Sequence, residues 1–360
     1  MNSSNSRIGI IYSSKYSLYD LGEGHPFRGD RFTNAFHYLK DRGIFDLENI
    51  RLLEPKPISK EDLFLVHTGD YVEKIFRLAE ESRRYDLDTP VNPNILSAAM
   101  LIAGGSIRAG VEVFSRDLSK AIALGGGFHH AGRGFGGGFC LFNDVALLVE
   151  YLRRSDSLRR ALIVDYDVHF GNGTSDIYYG DPNVLFISLH QDPRTIFPGK
   201  GFLNEIGEGE GKGFNVNVPL PPGTGDAAYL YALREILFPL AEEFKPEIIV
   251  ANGGSDAHFA DSLGSLRLTT EGFYNIAVIL SEVAEKVCKG KLVLILGSGY
   301  NPLILPKCWY ALSAGVIGLK KPTVKEEYPI PREIPQIFNE VRTVISRLKL
   351  LLSKYWACFK

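Results

Sequence analysis

Six short apolar runs, each followed by glycine or polar residues, constrain this chain more than any other feature. They are RIGIIY (7–12), KAIALGGG (120–127), ALIVDYD (161–167), NVLFISLH (183–190), EIIVANGG (247–254) and KLVLILGSG (291–299). They read as strands, and helical spacing at 144–154, 227–244 and 270–288 separates several of them. Pro239 is expected to kink or subdivide the second of these helices. Strands alternating with helices predict an α/β fold, with a central, mostly parallel sheet flanked by helices. The segment KKPTVKEEYPIPREIPQ (320–336) reads as a loop, and apolar spacing after it as a packed terminal helix at about 335–356. No repeat or low-complexity linker divides the 360 residues, so one domain, 1–360, is expected, with its core at about 8–319.

In open α/β sheets, sites form beyond the carboxyl ends of the strands. The residues there are His129, His130, Asp165, Asp167, His169, Ser188, His190, Asp256 and Tyr300. In extended backbone, Asp167 and His169 face the same side and Asp165 shares their parity, with Asp256 as a third ligand. One imidazole and two carboxylates suit zinc or another divalent transition metal. Taken alone, D-x-H is more often a capping aspartate near a core histidine, so the surroundings have to decide.

GGGFHHAGRGFGGGFC (125–140) poses a second choice, because it contains a formal G-x-G-x-x-G beside a histidine pair. The glycine pattern follows the histidines rather than a strand, and no acidic ribose partner lies at the expected distance. The phosphate reading fails on that context. The glycines read as a hinge that lets backbone pass close to the site, and the histidines carry the chemistry.

Composition removes other classes. Forty basic and 42 acidic side chains give a formal net charge of −2, which offers no footprint for direct nucleic-acid binding. Four scattered cysteines without C-x-x-C argue against a thiolate zinc site and a disulfide framework. Neither a signal peptide nor an uncharged apolar run of membrane-spanning length is evident, so a soluble cytoplasmic chain without membrane contact is expected.

DYDVHFGNGT (165–174), GGGFHHA (125–131), GFCLFND (138–144), SLHQDPRTIFPGKG (188–201), GGSDAHFADSLG (253–264) and LGSGYNP (296–302) together resemble the histone deacetylase superfamily. YDLGEGHPFRGDRF (19–32) looks like its acetoin utilization branch, while GGGFHHA, LGSGYNP and CWYALSAGVIG (308–318) are similar to class I deacetylases. The resemblance implies the arginase/deacetylase fold and one Zn2+ per chain, or Fe2+ or another divalent ion, on Asp167, His169 and Asp256. It makes His129 and His130 an acid–base pair, backed by Asp165 and Asn172 respectively, and Tyr300 the oxyanion donor. Phe139, Phe197 and Gly138 would line an acyl-lysine tunnel, Asp88 would hold substrate backbone at the rim, and Arg31 would stand near an acetate channel. Asp165, Asp167, His169, Ser188 and Leu189 would hold a structural K+. The implied substrate is an acetylated protein lysine or an acetylated small amine. Oligomeric state is left open.

The chain departs from the family pattern at Phe170, in place of a second histidine, at Ser298, in place of a glycine, and at Ser262, in place of a proline. The loop 132–138 also lacks the family's usual polar residues. Three other readings compete: a non-catalytic acyl-ligand binder, an arginase-like binuclear manganese hydrolase, and a nucleotide-binding protein. The binder has no use for a general base, and the longer ligand run of a binuclear site is absent.

Overall fold

The computed structural model describes residues 7–115 and 117–360. The chain opens with β1 (Ile8–Ile11), α1 (Asp30–Asp41), β2 (Ile50–Leu53), α2 (Lys60–Leu63), α3 (Gly69–Glu80) and α4 (Pro93–Phe114). Then come β3 (Lys120–Leu124), α5 (Asp144–Ser155), β4 (Ala161–Asp165), α6 (Asn172–Tyr178), β5 (Val184–Gln191) and β6 (Asn215–Leu220). The last elements are α7 (Asp226–Phe244), β7 (Ile248–Gly254), α8 (Thr270–Cys288), β8 (Leu292–Ser298), α9 (Leu305–Ile317) and α10 (Pro335–Leu352).

The strands form one eight-stranded parallel sheet in the order β2-β1-β3-β8-β7-β4-β5-β6, flanked by helices. Every residue of β4, β5 and β7 is buried, as expected for parallel strands covered on both faces. Contacts group the chain into two units. One comprises the residues up to Leu158, with Asn172–Ile177 and Val293–Gly297; the other comprises Arg159–Gly171, Tyr178–Leu292 and Ser298–Lys360.

In the first unit, β1 pairs in parallel with β2 and β3. Its long helix α4 starts cleanly, with Pro93 in the first turn and the Asn92 side chain accepting from Ile95 N at 2.9 Å. By length and composition α4 is apolar enough to cross a bilayer, yet 61% of its most apolar window is buried inside the protein. In the second unit, β4 lies between β5 and β7, with Asp165 in register with Ser188 on one side and Asn252 on the other.

Pro239 does not divide α7, which runs unbroken from Asp226 to Phe244. A proline inside a helix costs about 3 kcal/mol, while each fully buried leucine or isoleucine returns about 1.5–3 kcal/mol. Leu233, Ile236, Leu237 and Leu240 are all completely buried, so packing outweighs the lost hydrogen bond.

The first residue of α7 also steadies the site. Asp226 accepts from Thr269 N at 2.9 Å and Thr269 Oγ at 2.6 Å, fixing the start of α8 just beyond the segment that carries Asp256. Burial, reinforced by Glu333 and Glu271, pushes its carboxyl up to about 6 from an ordinary 3.8. An acid raised on folding contributes stability that is full below its unfolded value and is lost as pH rises through the folded one. The fall in Tm between pH 4 and pH 7 should therefore be smaller in Asp226→Asn than in the unsubstituted protein, measured by calorimetry at both pH values. An equal fall would mean that Asp226 titrates normally.

Candidate active site

β4 ends at Asp165, and the chain bends away before Asp167 and His169. The expected extended alternation therefore does not align them. Instead Asp167 Oδ1 accepts from His169 N at 2.8 Å and folds back onto its neighbour. His169 Nδ1 then stands 3.1 Å from Asp167 Oδ1 and 3.2 Å from Asp256 Oδ2, and Asp256 Oδ1 accepts from Val168 N at 3.2 Å. Asp256 arrives just after β7. One donor atom from each of the three residues lies within 4.8 Å of the others, and all three are buried.

These residues fit a divalent ion. Bonds of about 2.0 Å in a tetrahedral shell put neighbouring ligand atoms about 3.3 Å apart, close to the separations found. The charges agree. Burial opposes a proton on His169, but Asp167 and Asp256 together outweigh it and lift the imidazole to about 10. Burial, then repulsion from Asp167, lifts Asp256 to about 8. Paired buried carboxylates call for a cation, which a bound metal would supply.

Asp165 accepts from Asp167 N and Asn252 Nδ2, each at 3.2 Å. Beside it, Ser188 Oγ lies 2.8 Å from His190 Nδ1, while His190 Nε2 lies 2.8 Å from the Gly201 carbonyl oxygen. The carbonyl can only accept, so His190 Nε2 donates and the Nδ1 of a neutral ring accepts from Ser188. The Ser188 oxygen then keeps acceptor capacity beside Asp165, a donor set compatible with the monovalent site expected of Asp165, Asp167, His169, Ser188 and Leu189. Phe170 packs against His190, ring centroids 4.9 Å apart, so the apolar departure fills space beneath that imidazole. Tyr300 presents its ring edge-on to His169 at 6.5 Å. Phe197 is 53% exposed.

In the other unit, β3 runs into Gly125, Gly126 and Gly127, all at positive φ. Asp144, the first residue of α5, is the reason. Its buried carboxylate accepts from Gly127 N at 3.1 Å, Phe128 N at 2.8 Å and Ser106 Oγ at 2.5 Å. A Cβ at position 126 would come within 2.3 Å of it. The turn delivers His129 and His130 with their Nε2 atoms 3.2 Å apart. His130 Nδ1 donates to Asn172 Oδ1 at 2.7 Å, so in a neutral His130 the proton sits on Nδ1 and Nε2, facing His129, is the basic nitrogen. Arg31, buried, donates to the Gly297 carbonyl at 3.1 Å and lies 3.8 Å over the Phe27 ring.

Histidine and tyrosine side chains hold the glycine-rich loop after the pair. His67 Nδ1 donates to Gly132 O at 2.8 Å, and His67 Nε2 accepts from Asn143 N at 3.0 Å. Tyr85 Oη accepts from Gly136 N at 3.1 Å. Tyr19 donates to Phe139 O at 2.6 Å and Tyr71 to Leu141 O at 2.7 Å. Gly138 and Phe139 both take positive φ. His25 donates to the Asp88 carbonyl at 3.0 Å and sets its ring edge against Phe139 at 4.7 Å; Asp88 itself is exposed. No local sequence pattern marks His67, Asp144 or the three tyrosines as supports of this loop. Their partners lie too far along the chain for any local pattern to show them.

Residues 25–316 match the family described as Histone deacetylase domain. The chain belongs to the histone deacetylase family. It is 37% identical to a probable deacetylase of Archaeoglobus fulgidus, over 98% of this chain and 99% of that protein. It is 36% identical to the acetoin utilization protein AcuC of Bacillus subtilis, over 83% of this chain and 79% of that protein. Among solved structures, the HD domain of HDA15 superposes with a TM-score of 0.86 at 27% identity, covering 98% of this chain and 96% of that one. In this member of the deacetylase family the Asp–His–Asp group is buried.

Protein loaded with Zn2+ and dialysed should retain about one ion per chain by elemental analysis. Asp256→Ala should retain less than about a tenth of that, because removing one of three ligands leaves two. Retention of a full equivalent would remove Asp256 from the ligand set.

Proposed function

We propose that this chain is a metal-dependent deacetylase, hydrolysing the amide of an acetylated or short-acyl lysine or amine. The observation that carries the reading is the buried donor set Asp167, His169 and Asp256, spaced for a single ion. Zn2+ is the ion the donors favour, with Fe2+ an alternative for the same residues, and K+ would be the structural ion beside Ser188. A bound divalent ion would polarise the acyl carbonyl and acidify a water.

The chain's own groups do the rest. His130, with Nδ1 committed to Asn172, takes the proton of the attacking water on Nε2. His129, backed by Asp165, returns a proton to the leaving amine, which cannot depart as an anion at neutral pH. Tyr300 donates to the developing oxyanion. Phe139, Phe197 and Gly138 wall the acyl-lysine passage, and Asp88 holds the substrate backbone at its rim. All of this belongs to a single catalytic domain in a cytoplasmic protein, a location supported by four cysteines that form no disulfide.

The test is acetate release from an acetyl-lysine peptide, an acetylated polyamine and longer acyl-lysine peptides by metal-loaded protein. Turnover of at least one is expected. Tyr300→Phe should reduce kcat by about 10²–10³-fold, and His130→Ala by about 10²–10⁴-fold. Measurable acyl-ligand binding without turnover, at full metal loading, would make the protein a binder instead.

A further inference from the structure

We propose that Asp261 is the positioning residue for Tyr300 and fixes where its hydroxyl stands; this rests on the reading of Tyr300 as oxyanion donor. Asp261 follows Asp256 in GGSDAHFADSLG and is 8% exposed. Its Oδ2 accepts from Tyr300 N at 2.6 Å and from Asn301 N at 3.2 Å, and its Oδ1 from Leu263 N at 3.0 Å. Asn301 ties the same two segments together a second time, donating from Nδ2 to the Ala260 carbonyl at 2.8 Å.

The other side of Tyr300 is fixed to the same loop. Ser255 N donates to Ser298 O at 3.0 Å. Gly299 sits at φ +123, where a Cβ would come within 2.0 Å of Ser255 Oγ. Ser255 and Asp261 bracket Asp256, so a metal ligand and the backbone of Tyr300 belong to one hydrogen-bonded piece. Charge-assisted bonds from a carboxylate to backbone amides are about twice as strong as neutral ones, which makes Asp261 the strongest of these ties. Leverage makes the tie matter. A tilt of about 10° at the backbone moves a tyrosine hydroxyl by about 1 Å, and a misplacement of that size costs up to about 10²-fold in rate.

The experiment is a double-mutant cycle on Zn2+-loaded protein, using whichever acetylated substrate is turned over. Asp261→Ala should lower kcat by about 10–10²-fold, with KM within about 3-fold and metal content unchanged. In a Tyr300→Phe background the same substitution should cost less than about 3-fold, because the hydroxyl it positions is gone. Hydrogen exchange should accelerate at least about 10-fold in a peptide spanning Gly299–Asn301, a readout independent of activity. Equal losses in both backgrounds, or an unchanged kcat, would falsify the positioning role. If the alanine chain does not fold, Asp261→Asn keeps one acceptor and should show a smaller loss with the same dependence on Tyr300; equal losses there overturn the proposal too. An unchanged kcat in Tyr300→Phe alone would remove the oxyanion reading itself, a separate failure.

Discussion

Two carboxylates buried against one imidazole set the terms for everything near the ends of β4 and β7. Other buried acids in the chain meet a different fate. Asp144 and Asp261 give their oxygens mostly to backbone amides, three between Asp261 and its loops and two at Asp144 beside the Ser106 hydroxyl. Burial still raises both carboxyls, but each is satisfied and holds a segment in place. Asp167 and Asp256 accept backbone amides too, but they also turn oxygens toward the His169 ring and toward each other's repulsion. The chain thus separates anchors from ligands by what each carboxylate is offered.

The histidines divide on the same principle. In His25, His67 and His190 one ring nitrogen donates to a carbonyl and the other accepts from an amide or hydroxyl. Each has both nitrogens committed, and burial pushes His67 down to about 4, which keeps it neutral. His130 breaks the pattern, committing Nδ1 to Asn172 but turning Nε2 toward another imidazole. A nitrogen arranged that way can exchange a proton without dismantling a loop.

Much of this was legible in the sequence. The six apolar runs are all strands, because fully buried parallel strands need continuous apolar residues. β2 and β6 escaped, β2 because IRLL is half-exposed and short, β6 because NVNVPL alternates polar residues. α4 escaped because its glycine pair weakens a helical reading. The Asp–His–Asp cluster is legible by type and spacing, although the bend after Asp165 brings its members together by a route that strand parity does not describe. What could not be read were the supports. Tyr19, His67, Asp144 and Asp261 act through contacts with distant backbone, and one sequence carries no trace of such pairings.

The two hydrogen bonds of His67 have a further consequence. By holding Gly132 at one end and Asn143 at the other, one imidazole closes the most glycine-rich stretch of the chain into a ring. The topology is that of a disulfide loop made without sulfur, suited to a chain whose cysteines form no disulfide. A covalent link acts mainly on the unfolded chain, whereas this clasp exists only in the folded one and leaves the unfolded ensemble unrestricted. The whole ordering cost of those glycines therefore falls on the native contacts, and the tyrosines spaced along the ring share it.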